Sequence, residues 1–166
     1  MSRDAARLTR ALERNAGDML AYLERRVGVD DAPDLLGETM VVAWRRVDDL
    51  PDDAERARMW LFGIARGTLL NHARGTRRRW ALADRIRLRS PEDLSAPAAD
   101  AGAEVRDAIA RLAPDEAEIV RLVHWDGFSI ADAAELIGIP ASTARGRYQR
   151  AKSDLRVALS VEAPLA

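Results

Sequence analysis

The chain has 166 residues, 48% of them hydrophobic and 32% charged, and its 26 basic and 27 acidic side chains nearly cancel. This length suits one or two small domains with modest cores, and no apolar run reaches the roughly 20 residues that a membrane-spanning helix needs. The lack of cysteine excludes disulfides and thiolate zinc sites, and the only histidines, His72 and His124, lie in separate segments, which argues against a metal site or a serine-histidine triad.

Two amphipathic segments open the chain. Apolar residues recur at helical spacing over residues 3–27 and predict one or two helices with a break near Gly17. A second helix is predicted with Asp30 or Asp31 as its cap and with its end at Asp48 or Asp49, before a turn at residues 50–53. Between that cap and residue 58, nine acidic residues stand against four arginines, which indicates either a basic protein partner or an ordinary solvated helix face. The predicted apolar side of this helix comprises Leu35, Leu36, Met40, Val41, Ala43, Trp44 and Val47.

A long third helix is predicted from about Ala54 to Gly75, followed by an arginine tract that ends in an indole at residues 74–80. Gly63 and Gly67 lie four residues apart in this helix, which favours the close approach of another helix or, alternatively, of a nucleic-acid strand. Over residues 66–89, eight arginines stand against one acid. Because arginines neutralise phosphates and an indole stacks on an unpaired base, the tract indicates single-stranded nucleic acid, although such a tryptophan is more commonly a core residue.

A change of composition separates the two halves of the chain. Residues 90–102, SPEDLSAPAADAG, are rich in proline, alanine, serine and acids and predict a flexible linker. After it, one helix is predicted at residues 103–113 and another from Pro114 onward. The predicted fold class is therefore all-α, with two small helical domains at residues 1–89 and 103–166.

The end of the second domain predicts a helix-turn-helix. Ser129 and Asp132 can form a capping box at the start of the first helix, Gly138 can supply the left-handed residue that ends it, and Pro140 suits the first turn of the next. In the second helix, apolar residues repeat every three or four positions and leave a basic side for DNA. The alternative is an ordinary helical hairpin with a solvated basic face. The polar residues on that side are Arg145, Arg147, Gln149, Arg150 and Lys152.

Motifs in both halves carry a family resemblance. In the first half these are DAPDLLGET at residues 31–39 and WLFGIA at 60–65, together with the arginine tract. In the second half they are LAPD at 112–115, GFSIA at 127–131 and GIPAST at 138–143. Over nearly its whole length the chain resembles a bacterial RNA polymerase sigma factor of the extracytoplasmic function class, with a region 2-like helical bundle and a region 4-like helix-turn-helix. The resemblance implies a promoter-specificity subunit that binds core polymerase, recognises the -35 and -10 elements and helps to open the DNA.

The resemblance also implies protein partners. In such factors an acidic helix grips the clamp helices of the large β′ subunit, a role that falls here on Asp34 and Glu38, with Asp31 nearby. The β flap is a further implied contact on the polymerase, and an anti-sigma protein is the implied regulatory partner. No catalytic residue, cofactor or metal is expected, because catalysis belongs to the polymerase. The N-terminus lacks the apolar segment of a secretory signal, so the protein is expected in the cytoplasm, with no membrane insertion.

DNA contacts are implied for both domains. The first would melt the -10 element and hold a flipped base of the non-template strand, while the second would place its last helix in the major groove of the -35 element. The implied -10 contacts are Leu50, Trp60, Arg66, Gly67, Asn71, Arg74, Arg77, Arg78 and Arg79. The implied -35 contacts are Thr143, Arg145, Gln149 and Arg150 at bases, and Arg147 and Lys152 at phosphates.

Two other classes of protein compete with this interpretation. A sigma-mimic adaptor would keep the fold but bind an anti-sigma protein instead of DNA, and it has no need for the arginines at residues 77–79 or 145–150. A stand-alone helix-turn-helix regulator would bind duplex DNA without polymerase, and it gives no role to the acidic helix around Asp34.

Overall fold

The computed structural model describes residues 3–86 and 102–161, and their side chains at 3–79 and 102–160. These residues form helices joined by short turns, and no strand occurs among them, so the all-α prediction is confirmed. None of these helices is both long and apolar enough to cross a bilayer. The helices are α1 (Arg3–Val27), α2 (Ala32–Arg45), a single 3-10 turn (Val47–Asp49), α3 (Ala54–Ile86), α4 (Ala103–Ala110), α5 (Pro114–His124), α6 (Ile130–Ile137) and α7 (Ala141–Val161).

The helices fall into two compact units, α1 to α3 and α4 to α7. The predicted linker at residues 90–102 lies almost entirely outside the described residues, and so does the side chain of Trp80. In the first unit each helix packs against the other two. Its centre is an edge-to-face pair of rings, Tyr22 of α1 and Phe62 of α3, whose centroids lie 5.3 Å apart. Leu8, Met19, Leu23 and Leu61 are also fully buried in this unit.

Two predicted helix boundaries that coincide with a glycine are wrong, and α2 ends at Arg45 instead of at Asp48 or Asp49. Helix α1 runs unbroken through Gly17, and α3 continues past Gly75 to Ile86. A glycine inside a helix costs only about 1 kcal/mol relative to alanine, which is small beside the burial of two or three apolar side chains. In α1 the packed residues Leu12 and Met19 lie on either side of the glycine and hold the helix together.

The second unit packs three helices around the small residues of α7. Ala144 and Ala151 are fully buried, and their size allows α7 to lie close to its neighbours. Ala151 packs with Ile109 and Val120, whereas Ala144 packs with Ile119 of α5 and with α6. The first helix of this unit ends at Ala110, three residues earlier than predicted.

The helix-turn-helix has the predicted local chemistry. The Oγ of Ser129 accepts a hydrogen bond from the backbone N–H of Asp132 at 3.1 Å, and the Asp132 carboxylate accepts one from the backbone N–H of Ser129 at 3.3 Å. Gly138 ends α6 with φ of 82°, and its N–H donates to the carbonyl of Ala134. The predictions of the capping box and of the left-handed glycine are confirmed.

We expect Ser129→Ala to destabilise α6 by about 1 kcal/mol, because N-cap hydroxyls contribute roughly that amount. Amide hydrogen exchange of α6 measures the effect, and it should become about fivefold faster. Ser153→Ala, on the exposed surface of α7, is the matched control and should leave exchange unchanged or slower, since alanine favours the helix. Equal exchange in wild type and Ser129→Ala would contradict the capping role.

Candidate nucleic-acid and protein interfaces

Helix α2 presents an acidic face to solvent. Asp34 and Glu38 lie one turn apart, both are exposed, and neither forms an ion pair with a described residue. Like charges at this spacing repel each other by a few tenths of a kcal/mol, so a cationic partner would relieve the repulsion. Asp31 occupies the N-cap position but makes no side-chain capping bond; instead its carboxylate lies 3.7 Å from Nε2 of His72 on α3.

Two large apolar side chains adjoin this acidic face. Val41 is 49% exposed and Trp44 is 43% exposed, although the hydrophobic periodicity predicts both for the buried side. Val41 follows Glu38 by three residues, so the apolar and acidic groups share one surface of the helix. A patch of apolar residues with charges at its edge is typical of protein-protein interfaces. The sequence pattern identifies the acidic residues but places Val41 and Trp44 on the buried side, so it does not predict this combination.

An exposed polar lane runs along α3. Gly63 and Gly67 are exposed, and a Cβ atom added to either would meet nothing within 4 Å. The preferred prediction, that these glycines allow another helix to approach, is therefore wrong within the described part of the chain. Residues spaced three or four apart lie on the same side of a helix. This side of α3 therefore carries two glycines, whose backbone is uncovered, followed by side chains that can donate hydrogen bonds. It comprises Gly63, Gly67, Asn71, Arg74 and Arg78.

The other basic residues of α3 surround this lane. Arg74 donates to the Oδ1 of Asn71 at 2.6 Å, which orders both side chains. Arg79 donates to the Oγ1 of Thr76 at 3.1 Å, and Arg77 is exposed. Arg66 is half-buried. Because consecutive helical residues point in directions about 100° apart, the guanidinium groups at 77–79 spread around the helix and can meet phosphates from several sides.

Two of the predicted -10 residues, Leu50 and Trp60, are largely or partly buried. Leu50 is 7% exposed. Trp60 is half-buried, and its indole N–H is buried without a hydrogen-bond partner among the described residues. The Arg46 guanidinium lies 6.0 Å from the centre of its ring.

The basic side of α7 divides into two stripes. Arg145, Gln149 and Lys152 follow one another at four and three residues, all are exposed, and no described residue forms an ion pair with Arg145. Thr143 is exposed at the start of the helix. The second stripe turns toward α5, where Arg147 pairs with Asp115 and Arg150 with Glu116. Sequence alone does not reveal these two pairs, because they depend on how α7 packs against α5.

Arg150 and Glu116 form an unequal pair. The Nε of Arg150 donates to the Glu116 carboxylate at 3.0 Å, and the arginine side chain is 66% exposed whereas that of the glutamate is only 11% exposed. The carboxylate thus depends on the arginine for a donor more than the arginine depends on the carboxylate.

We expect Arg150→Ala to destabilise the second unit by about 1 to 3 kcal/mol, because it leaves a largely buried acceptor without its donor. Adding Glu116→Gln should restore most of the loss, since a neutral amide needs less solvation. Hydrogen exchange of α5 and α7 in a urea series measures both variants. A stability loss that Glu116→Gln fails to reduce would show that Arg150 acts through something other than this pair.

A second contact fixes α7 against the end of α5. The Nε2 of His124 and the hydroxyl of Tyr148 are hydrogen-bonded at 2.9 Å, and their rings stack with centroids 5.9 Å apart. Lys152 lies one turn further, with its Nζ 5.6 Å from the centre of the Tyr148 ring. The exposed stripe formed by Arg145, Gln149 and Lys152, called the open stripe below, therefore lies on a helix whose rotation is set by its contacts with α5.

Two family models match the two helical units. The model of sigma-70 region 2 matches residues 11–79, and the model of sigma-70 region 4 matches residues 102–155. The ECF RNA polymerase sigma factor SigL of Mycobacterium tuberculosis is 29% identical over 159 residues, which cover 93% of this chain and 90% of the relative. SigC of the same species is 33% identical over 153 residues, which cover 88% of this chain and 78% of the relative.

Among solved structures, the chain is similar to the sigma factor RpoE of Bartonella quintana, which was crystallised in complex with the anti-sigma factor NepR. The TM-score is 0.73 and the sequence identity 25%, over 93% of this chain and 97% of that chain.

Proposed function

Because this chain belongs to the extracytoplasmic function class of RNA polymerase sigma factors, we propose that three of its surfaces bind the polymerase and the two promoter elements. As a member of that class it is a promoter-specificity subunit and not an enzyme: it joins core RNA polymerase, recognises promoter elements and helps to open the DNA. Its place of action is the cytoplasm, where the polymerase and the promoter are.

The contact with the -10 element is assigned to the polar lane of α3. Two exposed glycines, with nothing that a Cβ would meet, leave room for a strand to approach the backbone. Asn71 and Arg74, ordered by their mutual hydrogen bond, offer donors beside that opening. Phosphate contacts of this kind would hold the strand, while an unpaired base would stack on the half-buried Trp60, which precedes Gly63 by three residues on α3. The neighbouring arginines supply the remaining charge: Arg66, Arg77, Arg78 and Arg79.

The contact with the -35 element is assigned to the open stripe of α7. A guanidinium can bond both acceptors of a guanine in the major groove, and a glutamine amide can do the same with adenine. Arg145 and Gln149 have the exposure and spacing for such base contacts, and Thr143 lies at the end of the helix that enters the groove first. Lys152 suits a phosphate. Arg147 and Arg150 would reach DNA only by sharing or leaving their partners on α5.

The contact with core polymerase is assigned to the acidic face of α2 and its apolar neighbours. Asp34 and Glu38 would meet basic residues of the β′ clamp helices, while Val41 and Trp44 would supply the apolar centre of that interface. Asp31 is close to Asp34 at the start of the helix, with its carboxylate 3.7 Å from Nε2 of His72. The second unit would contact the β flap. An anti-sigma protein is the proposed regulatory partner, by likeness to the RpoE complex.

Run-off transcription with purified core polymerase tests this proposal. A library of genomic fragments is transcribed with and without the protein, and transcripts that require it are mapped to their promoters. We expect a set of promoters that share two elements. Binding to an anti-sigma protein without any new transcript would favour the sigma-mimic adaptor, and binding to duplex DNA without polymerase would favour a stand-alone regulator.

A further inference from the structure

The direction in which the open stripe points depends on the rotation of α7 about its own axis. Ala144 and Ala151 are fully buried, and their methyl groups set how close α7 lies to its neighbours. A methyl group extends little beyond the backbone cylinder, so it gives little resistance to turning. The larger side chains that join α7 to other helices therefore have to hold the rotation.

Tyr148 is the side chain of α7 best placed for this. It packs against both core clusters of the second unit, the one that contains Val120 and the one that contains Ile119. Its hydroxyl is hydrogen-bonded at 2.9 Å to Nε2 of His124, the last residue of α5. The two rings stack at an interplanar angle of 22°. The contact thus joins the packed middle of the unit to the exposed end of α5.

Helix α5 holds α7 near both of its own ends. At the start of α5, Asp115 pairs with Arg147. At its end, His124 meets Tyr148. The two residues of α5 lie about 14 Å apart along the helix, whereas their partners on α7 are consecutive and point about 100° apart. Because the two contacts reach α7 from different sides, turning the helix in either direction moves one of them away from its partner.

These two contacts respond differently to DNA. Arg147 is a cation that a phosphate can draw away from Asp115, and salt weakens an ion pair at the surface. The contact between His124 and Tyr148 combines a hydrogen bond with ring stacking and is not an ion pair, so phosphates do not compete for it in this way. It is the contact that persists when the arginine turns to the promoter.

We propose that His124 and Tyr148 are a positioning pair for promoter selectivity, which holds α7 at the rotation where Arg145 and Gln149 both meet base edges. The proposal rests on the proposed function, which assigns those two residues to the -35 element. Side-chain atoms lie about 5 to 6 Å from a helix axis, so a turn of about 10° displaces them by about 1 Å. Because N–H···O distances vary over only about 0.5 Å, such a shift breaks one bond of a bidentate contact. Neither member of the pair needs to touch DNA.

Transcription from a promoter library with a randomised -35 element, by holoenzyme assembled with the full-length chain, tests the proposal. Tyr148→Phe removes the hydroxyl and keeps the ring in both core clusters, and His124→Ala removes the partner at an exposed position. We expect each variant to lower discrimination about fivefold at the base pairs read by Arg145 and by Gln149 alike, which corresponds to one hydrogen bond lost from each bidentate contact. The double variant should lose no more than His124→Ala alone, since the two side chains act through one contact.

Ser129→Ala is the control for stability. It weakens the cap of α6 and removes no contact between α5 and α7. A loss of stability lowers transcription from all templates by the same factor, because it reduces only the amount of folded protein. The control should therefore keep the wild-type preference at each position of the -35 element.

Three results would overturn the proposal. Unchanged preferences in Tyr148→Phe would show that the hydroxyl does not control the alignment of the bases with α7. A uniform loss over all templates would mean that the pair acts through stability alone. Additive losses in the double variant would mean that the two residues act separately. Wild-type holoenzyme without any preference would contradict the -35 assignment itself, whereas wild-type selectivity that survives in every variant would contradict the positioning pair alone.

Discussion

Replacing Glu38 by lysine is expected to weaken binding to core RNA polymerase by about 30-fold or more, with no loss of helix content. Removing one partner of an interfacial charge pair already costs about 2 kcal/mol or more, and reversal adds repulsion from the basic partner. The fold should tolerate the change, because the Glu38 side chain is exposed and pairs with no described residue. Biolayer interferometry on immobilised core polymerase measures the affinity, and circular dichroism measures the helix content.

Glu13→Lys is the matched control for this experiment. Glu13 is also an exposed helical glutamate without an ion pair to a described residue, but it lies on α1, away from the acidic face. It changes the net charge by the same amount, so general electrostatic attraction to the polymerase is held constant. If both variants bind core equally well, or lose binding equally, the acidic face of α2 is not the polymerase contact.

Arg145→Ala should change promoter selectivity at one base pair of the -35 element. A bidentate arginine-guanine contact contributes about 1 to 3 kcal/mol of discrimination, which corresponds to about 5- to 150-fold in relative promoter strength. The exposed position of Arg145 means that its removal should leave stability almost unchanged. Transcription from a template library with a randomised -35 element, using wild-type and variant holoenzyme, gives the preference at each position.

Lys152→Ala supplies the contrast. As a phosphate contact it should weaken transcription from all templates to a similar extent, and it should lower the salt slope of DNA binding by about 0.9. A uniform loss with Arg145→Ala would place that residue at a phosphate as well. Arg150→Ala is a poor substitute in this assay, since it also removes the hydrogen-bonded partner of Glu116.

The features that sequence predicted well are those set by a few neighbouring residues. The capping box of Ser129 and Asp132 needs only two side chains three residues apart, and Gly138 needs only its own freedom to adopt positive φ. The all-helical class and the helix-turn-helix follow from the spacing of apolar residues, which requires no knowledge of the partner helices.

The features that sequence did not predict depend on packing between helices. Gly17 and Gly75 marked no boundary, because their cost of about 1 kcal/mol each is smaller than the tertiary stabilisation of the helices that contain them. Periodicity placed Val41 and Trp44 on the apolar side of α2 but could not show where α1 and α3 stop covering that side. The pairing of Arg147 with Asp115 needed the orientation of α7 on α5.

The uninterrupted length of α3 couples the proposed polymerase contact to the proposed -10 contact. Its 33 residues form a rod of about 50 Å at 1.5 Å per residue, and it packs against α2, which bears the acidic face. The buried residues of α3 lie between Ala57 and Thr68, and the helix is unbroken from there to the arginines beyond Gly75. Under the roles proposed for these surfaces, docking of the acidic face on the polymerase would also set the position of the polar lane, and the DNA strand would be aligned by the same event that assembles the holoenzyme.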